Sequence, residues 1–404
     1  MGIPYYFANL IRSHKNIVVE LSHIDNIQNL YLDSNSIIYD AIDFKLFQNK
    51  SQFENHIIRF VIDKIELKPS KNIILAFDGV PPFAKLNQQK NRRYKTSYQS
   101  ALFNKNVPWD TTAITPGTVF MDKLNDTLKK HFANKYKSNN LILSLTDIPG
   151  EGEHKLFEFV RNNNHEDDNT VIYGMDSDLI MLSLNHKKYT NSIYLYRETP
   201  HFISSLDSTL DPLKEYFIDI NHLADQIYYL LTDKTFDNTK QSVEAYYNKI
   251  SDYILICFLL GNDFNEHFPA INLRNNGITI LLDLYREIFG VSQNIIKDGE
   301  INWVNFKKYI FKLAKNEHQF IKENYKIRDR LSKKFYPEAT DEEKELKFNT
   351  TPSWERNIEL FINPYENHWQ YRYYHSLFHI NTDTDNNAVS SVCNNYLQTL
   401  QWTF

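Results

Sequence analysis

Apolar runs in the first half of the chain share one habit: each ends near an acid. Leu30-Tyr31-Leu32 runs into Asp33, and Ile73-Ile74-Leu75-Ala76-Phe77 runs into Asp78. Leu141-Ile142-Leu143-Ser144-Leu145 comes before Glu151-Gly152-Glu153, and Val171-Ile172-Tyr173 before Asp176-Ser177-Asp178. Short aliphatic and β-branched runs of this kind predict buried strands. Between them, residues 56–67, 118–132 and 153–161 carry helical patterns. Pro116-Gly117 punctuates the start of the second, and Thr118 stands where a helix cap belongs. Strands alternating with helices predict an α/β fold with a mostly parallel central sheet flanked by helices. Such sheets bind ligands beyond the carboxyl ends of their strands, where these acids fall.

The second half reads differently. Residues 252–260 form a long apolar run followed by Gly261-Asn262-Asp263-Phe264, and its length favours a buried helix over a strand. Residues 302–325 predict one helix with Trp303, Phe306, Ile310, Leu313 and Phe320 on its apolar side. A charged stretch over 326–353 predicts a solvated helix or mobile linker, and 354–404 is aromatic-rich. The C-terminal part is thus expected to be mainly helical.

Composition narrows the class. With 45 basic and 50 acidic side chains among 404 residues, any nucleic-acid surface must be a local patch. Aromatic residues make up 14% of the chain, which argues against disorder. Only Cys257 and Cys393 are present, so neither a disulfide framework nor a zinc site is expected, and a reducing compartment fits. No apolar run approaches the ~20 residues of a membrane span. The start lacks a signal peptide, and Tyr6 stands where myristoylation wants Ser or Thr. The expected place is intracellular, the cytoplasm being favoured over the nucleus because no basic import cluster stands apart from residues 85–95.

Seven acids are candidates for one site: Asp33, Asp78, Glu151, Glu153, Asp176, Asp178 and Asp263. Carboxylates converging on one point repel and stay ionised only if something positive sits between them. Hard oxygen donors suit Mg²⁺, with Mn²⁺ as a substitute. Two such ions ~4 Å apart could activate a water and steady the leaving oxygen of a phosphodiester. One acid after one strand is as well explained as a helix cap or turn residue; a set recurring at strand ends is not. Gly150 and Gly152 fit by letting the backbone approach closely, while His154 is expected to pack or to support a ligand rather than to be one.

A second constellation begins seven residues after Asp78. On a helix Lys85, Gln89, Arg92 and Arg93 share one face, offering an ammonium, an amide and two guanidiniums. Taken alone, a solvated basic helix explains such a run. Beside a metal site, the set suits a terminal phosphate, which Arg grips bidentately.

These motifs resemble, in order, those of the XRN 5′→3′ exoribonucleases. Met1-Gly2-Ile3-Pro4, residues 29–38, Phe77-Asp78-Gly79-Val80 through Arg93 and residues 114–118 carry the likeness. So do residues 149–155, 174–181 and 259–264, over roughly 1–290 in all. The resemblance implies a PIN/FEN-like nuclease core, a two-Mg²⁺ site held by all seven acids, and processive removal of mononucleotides from single-stranded RNA bearing a 5′-monophosphate. It also implies that Lys85, Gln89, Arg92 and Arg93 form the 5′-phosphate pocket. Tyr39 stands where the family usually has a base-stacking His, and a phenol can still stack.

Residues 369–374 and 393–402 resemble the start of the family's second conserved region. The expected division is therefore a nuclease core over 1–290, a helical, charged linker over 291–353, and over 354–404 the beginning of that second region, cut short. Two rival readings are a flap endonuclease acting on DNA and a non-catalytic scaffold that binds RNA 5′ ends. The first lacks its Gly-rich helix–hairpin–helix in residues 265–274. The second has no need for so many repelling carboxylates.

Overall fold

The structure, a computed structural model, describes residues 6–65, 71–103, 108–133, 140–196, 205–237, 240–350, 356–385 and 387–404. The chain divides into two compact units. The first is Met1–Tyr229 with Lys234–Val243, and the second is Leu230–Asp233 with Glu244–Phe404.

The first unit is built on a seven-stranded sheet. Its strands are β1 (Val18–Glu20), β2 (Ile27–Asp33), β3 (Asn72–Ala76), β4 (Asn140–Ser144), β5 (His165–Tyr173), β6 (Thr190–Tyr196) and β7 (Tyr216–Asp219). Their order across the sheet is β1-β7-β6-β5-β2-β3-β4. From β2 to β6 all neighbours are parallel; β7 runs antiparallel to both β6 and β1. After β1 at one edge, the chain enters the middle of the sheet at β2, moves outward through β3 and β4, then crosses back to place β5 on the other side of β2. That reversal makes the β2/β5 boundary the switch point where such sheets open a crevice. The α/β reading is borne out.

The helices of this unit include α1 (Tyr6–Ser13), α2 (Asn35–Asp40), α3 (Lys50–Ile65), α4 (Phe83–Leu102), α5 (Val119–Phe132), α6 (Gly152–Asn162) and α7 (Asp178–His186). Phe53, Ile57 and Val61 of α3 and Phe120, Leu124 and Leu128 of α5 recur every three or four residues and bury one face of each helix. They pack with Leu32, Leu75 and Phe77 of the sheet side. Thr118 caps α5 by accepting from Met121 N–H, as its position predicts.

Register matters more than extent here. Asp33 pairs with Ala76, Ala76 with Ser144, and Leu32 with Tyr173, so four strands end level. Their far ends are locked by buried polar groups. Asn29 on β2 donates to Asp168 at 3.1 Å and to Thr170 at 3.2 Å, and accepts from Asn72 on β3 at 2.7 Å. Slipping any of these three strands would strand an amide or a carboxylate without its partner.

In the second unit the apolar run near 252 is a helix, Lys240–Cys257, ended by a 3₁₀ turn, Phe258–Leu260, and by Gly261 at φ 89°. The pattern over 302–325 folds as two helices, Trp303–Ala314 and Glu317–Ser332. Asn316 interrupts them at φ −105° and ψ 2°, a conformation its short polar side chain tolerates. The charged stretch is helical over Asp341–Thr350, and residues 351–355 lie outside the described residues. Three more helices follow, Asn357–Ile362, Trp369–Phe378 and Ala388–Thr403. Among the described residues, no helix is long and apolar enough to cross a membrane.

Candidate active site

Four strand ends deliver the acids. Asp33 is the last residue of β2, and Asp78 lies two residues past β3. Glu151 occupies the N-cap position of α6, without a side-chain capping bond, and Glu153 sits in the first turn, where the helix dipole favours negative charge. Asp176 lies between β5 and α7, and Asp178 opens α7. The two glycines flanking Glu151 serve different ends. Gly150 takes φ 103°, a turn that a side chain would strain. Gly152 lets α6 touch the sheet: a Cβ there would lie 2.7 Å from Asp33 Oδ1 and 3.1 Å from the Ala76 carbonyl.

Carboxylate oxygens of Asp33, Asp78 and Glu153 all come within 4.8 Å of one another. Asp33 and Glu153 are only 6% and 4% exposed, and Glu151 is 4% exposed. Burial pushes Asp33 well above the usual carboxylate range, and Asp78, Asp176 and Glu151 push it further. Glu153 is raised for the same reasons, burial first, then Asp33, Asp78 and Glu151. For Asp78 burial also leads, offset by the Gly152 N–H and by Lys85. Five of the seven acids, Asp33, Asp78, Glu151, Glu153 and Asp176, thus share one field in the first unit. Asp263 belongs to the second unit, in the segment after Gly261.

Two protein donors hold Asp78. Gly152 N–H donates to Oδ1 at 2.7 Å, and Asn35 Nδ2 donates to Oδ2 at 2.7 Å. Asn35 was not singled out in the sequence, although it stands two residues after Asp33 at the start of α2. Its backbone N–H also bonds Asp33 and holds that carboxyl down against the other influences. Asp33 Oδ1 is buried and accepts no hydrogen bond from the protein. A buried, unpartnered carboxylate oxygen facing other carboxylates is costly unless a cation reaches it. The donor set, all hard oxygen, suits a divalent ion.

Helix α4 carries the basic residues, but they do not all face one way. Lys85 is buried and its ammonium lies 2.9 Å from Glu151 Oε2. Gln89 and Arg93 line an open pocket of about 520 Å³, together with Val80, Leu86, Lys90 and Tyr94. Arg92 is exposed. Tyr39, near the end of α2, is 53% exposed, and the charges of Asp78, Arg92 and Arg93 all reach its phenol. His154, expected to pack or to support a ligand, is exposed on α6, near enough to Glu151 to feel its charge.

Residues 1–199 match the family model of the XRN 5'-3' exonuclease N-terminus, and residues 245–361 match that of the Xrn1 helical domain. The chain belongs to the XRN family. Among its relatives, 5'-3' exoribonuclease 1 of Homo sapiens is 30% identical over 360 residues, covering 80% of this chain and 21% of that protein. The Saccharomyces cerevisiae 5'-3' exoribonuclease 1 is 30% identical over 351 residues, 76% of this chain and 22% of the relative. The 5'-3' exoribonuclease 2 of Arabidopsis thaliana is 28% identical over 375 residues, 76% of this chain and 36% of the relative. This XRN chain therefore spans less than half the length of these relatives. The two XRN matches fall on the acid-bearing sheet unit and on the helices that follow it.

Proposed function

We propose that this chain is a metal-dependent 5′→3′ exoribonuclease that takes single-stranded RNA bearing a 5′-monophosphate and releases mononucleotides. The observation that carries this reading is the cluster of buried acids at the level ends of β2, β3, β4 and β5, with Asp33 Oδ1 and Glu151 Oε1 left without a donor. In this reading Asp33, Asp78, Glu151, Glu153, Asp176 and Asp178 of the first unit hold two Mg²⁺ ions, for which Mn²⁺ can stand in. Bound there, a divalent ion supplies charge neutralisation and Lewis acidity at the scissile phosphate.

The protein's own part is to present the RNA end. Gln89, Arg92 and Arg93 on α4 receive the 5′-phosphate, and Lys85, already beside Glu151, links that grip to the acids. Tyr39 offers its exposed ring to the first base. Water adds to the phosphorus between the first and second nucleotides, and the bond to the first nucleotide's 3′ oxygen breaks. The remaining RNA then carries a 5′-monophosphate again, which is the chemical basis for processive action.

Three RNAs labelled at the 3′ end test this, with 5′-phosphate, 5′-hydroxyl and capped ends. With Mg²⁺ the first is shortened to mononucleotides and the other two persist. Equal cutting of all three removes the phosphate-grip assignment. Tight binding of the phosphorylated RNA with no turnover at saturating Mg²⁺ or Mn²⁺ would replace the enzyme with a binding protein.

A further inference from the structure

Strands β3 and β4 part company just before the acids. Their ladder continues one step past β3, where Phe77 N–H donates to the Ser144 carbonyl at 2.9 Å. Beyond it, the carbonyls of Phe77 and Leu145 both turn to one ammonium. Lys155 Nζ donates to Phe77 O at 2.7 Å and to Leu145 O at 3.0 Å. An ammonium on a four-carbon stem can place two tetrahedral donors on two carbonyls in this way; a planar guanidinium matches the geometry less well.

The Phe77 carbonyl belongs to the same peptide group as the N–H of Asp78. That N–H donates to Asn35 Oδ1 at 3.2 Å. The peptide is therefore held at both poles, by Lys155 on one side and Asn35 on the other. Three residues before Lys155 on the same helix, Gly152 N–H holds the Asp78 carboxylate. Helix α6 thus grips the Phe77–Asp78 segment twice, the Gly152 backbone at the Asp78 carboxylate and the Lys155 side chain at the Phe77 carbonyl. The Lys155 ammonium also lies close enough to Asp78 for the two charges to feel each other.

We propose that Lys155 is a positioning residue for the acid cluster, fixing the Phe77–Asp78 peptide and with it the aim of the Asp78 carboxylate toward a divalent ion. This rests on reading the cluster as a metal site. Lys155 touches neither ion nor substrate in this proposal; it acts through Asp78.

The test measures Mn²⁺ binding by electron paramagnetic resonance on the full chain, without RNA, for the native protein, Lys155→Met and Lys155→Arg. Melting temperature and binding of 5′-phosphorylated RNA in EDTA are followed in parallel. Lys155→Met is expected to weaken Mn²⁺ by about tenfold or more, as loss of a supporting hydrogen bond does at metal sites. RNA affinity in EDTA stays unchanged, and Lys155→Arg falls between the two. If Lys155→Met does not fold, Lys155→Gln, which keeps one donor group, is compared in its place. Unchanged Mn²⁺ affinity in a variant with a lowered melting temperature overturns the proposal, leaving Lys155 as a strand tie only. A native chain that binds no Mn²⁺ overturns the metal reading and this proposal with it.

Discussion

Asn35 and Asp78 form a closed pair: the Asn35 amide donates to Asp78 Oδ2 at 2.7 Å while its own oxygen accepts the Asp78 N–H at 3.2 Å. One side chain from the start of α2 therefore fixes both the backbone and the carboxylate of a residue beyond the neighbouring strand. Asn35→Ala removes a hydrogen bond to an ionisable group, a loss of roughly 1.5–3 kcal/mol, or about ten- to hundredfold in turnover. The fall is expected in kcat, with RNA affinity in EDTA preserved. Single-turnover kinetics at saturating Mg²⁺ decides it, and native rates in the variant would remove Asn35 from the site.

Gly152 lies at the contact between α6 and the sheet. In Gly152→Ala the new methyl meets Asp33 Oδ1 at 2.7 Å, so either α6 or the carboxylate must move. Overpacking of this kind costs about 1–3 kcal/mol, and here it also displaces an acid from the cluster. Loss of Mg²⁺-dependent cleavage with a modest fall in melting temperature is expected. A fully active variant would show that the approach is looser than described.

Metal should stabilise the first unit, and more so at higher pH. Asp33 and Glu153 have carboxyls raised by burial and by each other's neighbours. A raised folded pKa means the folded state holds its protons more tightly than the unfolded chain. That contribution is full below the ordinary carboxylate value of about 4 and is lost as pH rises through the folded values. Without metal, stability from this cluster therefore declines from acid toward neutral pH, and Mg²⁺ restores it. Melting curves in EDTA and in Mg²⁺ at pH 5 and pH 8 are expected to diverge more at pH 8. An equal shift at both, or none, would contradict a metal held by these acids.

The second unit carries its own buried pair. Burial pushes Asp252 up to about 6, against hydrogen bonds from Tyr285 and the backbone of Ile295 and Ile296. Burial likewise pushes Lys249 down to about 8. Lys249 donates to Tyr285 at 2.8 Å, and Tyr285 in turn donates to Asp252. With its pKa raised, Asp252 supports the fold at low pH and loses that support between about pH 4 and pH 6. The stability difference between the native chain and Asp252→Asn should therefore shrink over that interval. Urea unfolding at pH 4, 5 and 6 measures it, and a difference that grows with pH would reverse the assignment.

Much of this architecture is legible in the sequence because burial and catalysis write opposite signals side by side. Apolar runs mark the strands, and the acids that stop them mark the level ends. Thr118 announces α5 because a capping hydroxyl is a local device. Strands β1, β7 and β6, on the side of the sheet beyond β5, leave a weaker signal: Thr190-Asn191-Ser192 begins β6 with polar residues, and β1 is only three residues long. Lys85 is the instructive case. Spacing puts it on one face with Gln89 and Arg92, but spacing does not show that Glu151, 66 positions later, draws it inward as a counter-ion. Asn35 and Lys155 were invisible for a related reason. Their roles depend on which carbonyl or carboxylate lies across a strand gap, and no local pattern records that.

The crossing of the chain back past β2 has a consequence for how the protein comes into being. Asp33 is made early, yet β5, which pairs directly with β2, is 140 residues away in the chain, and Asp176 follows it. Contacts so distant in sequence form late, because a long loop must close before they bring any return. A chain emerging during synthesis can bring Asp33, Asp78 and Glu153 together from β2, β3 and α6, but Asp176 joins them only once β5 has paired with β2. The acid cluster is therefore completed, rather than begun, by a strand made late, and the growing chain lacks its full set of acids for most of the making of this unit.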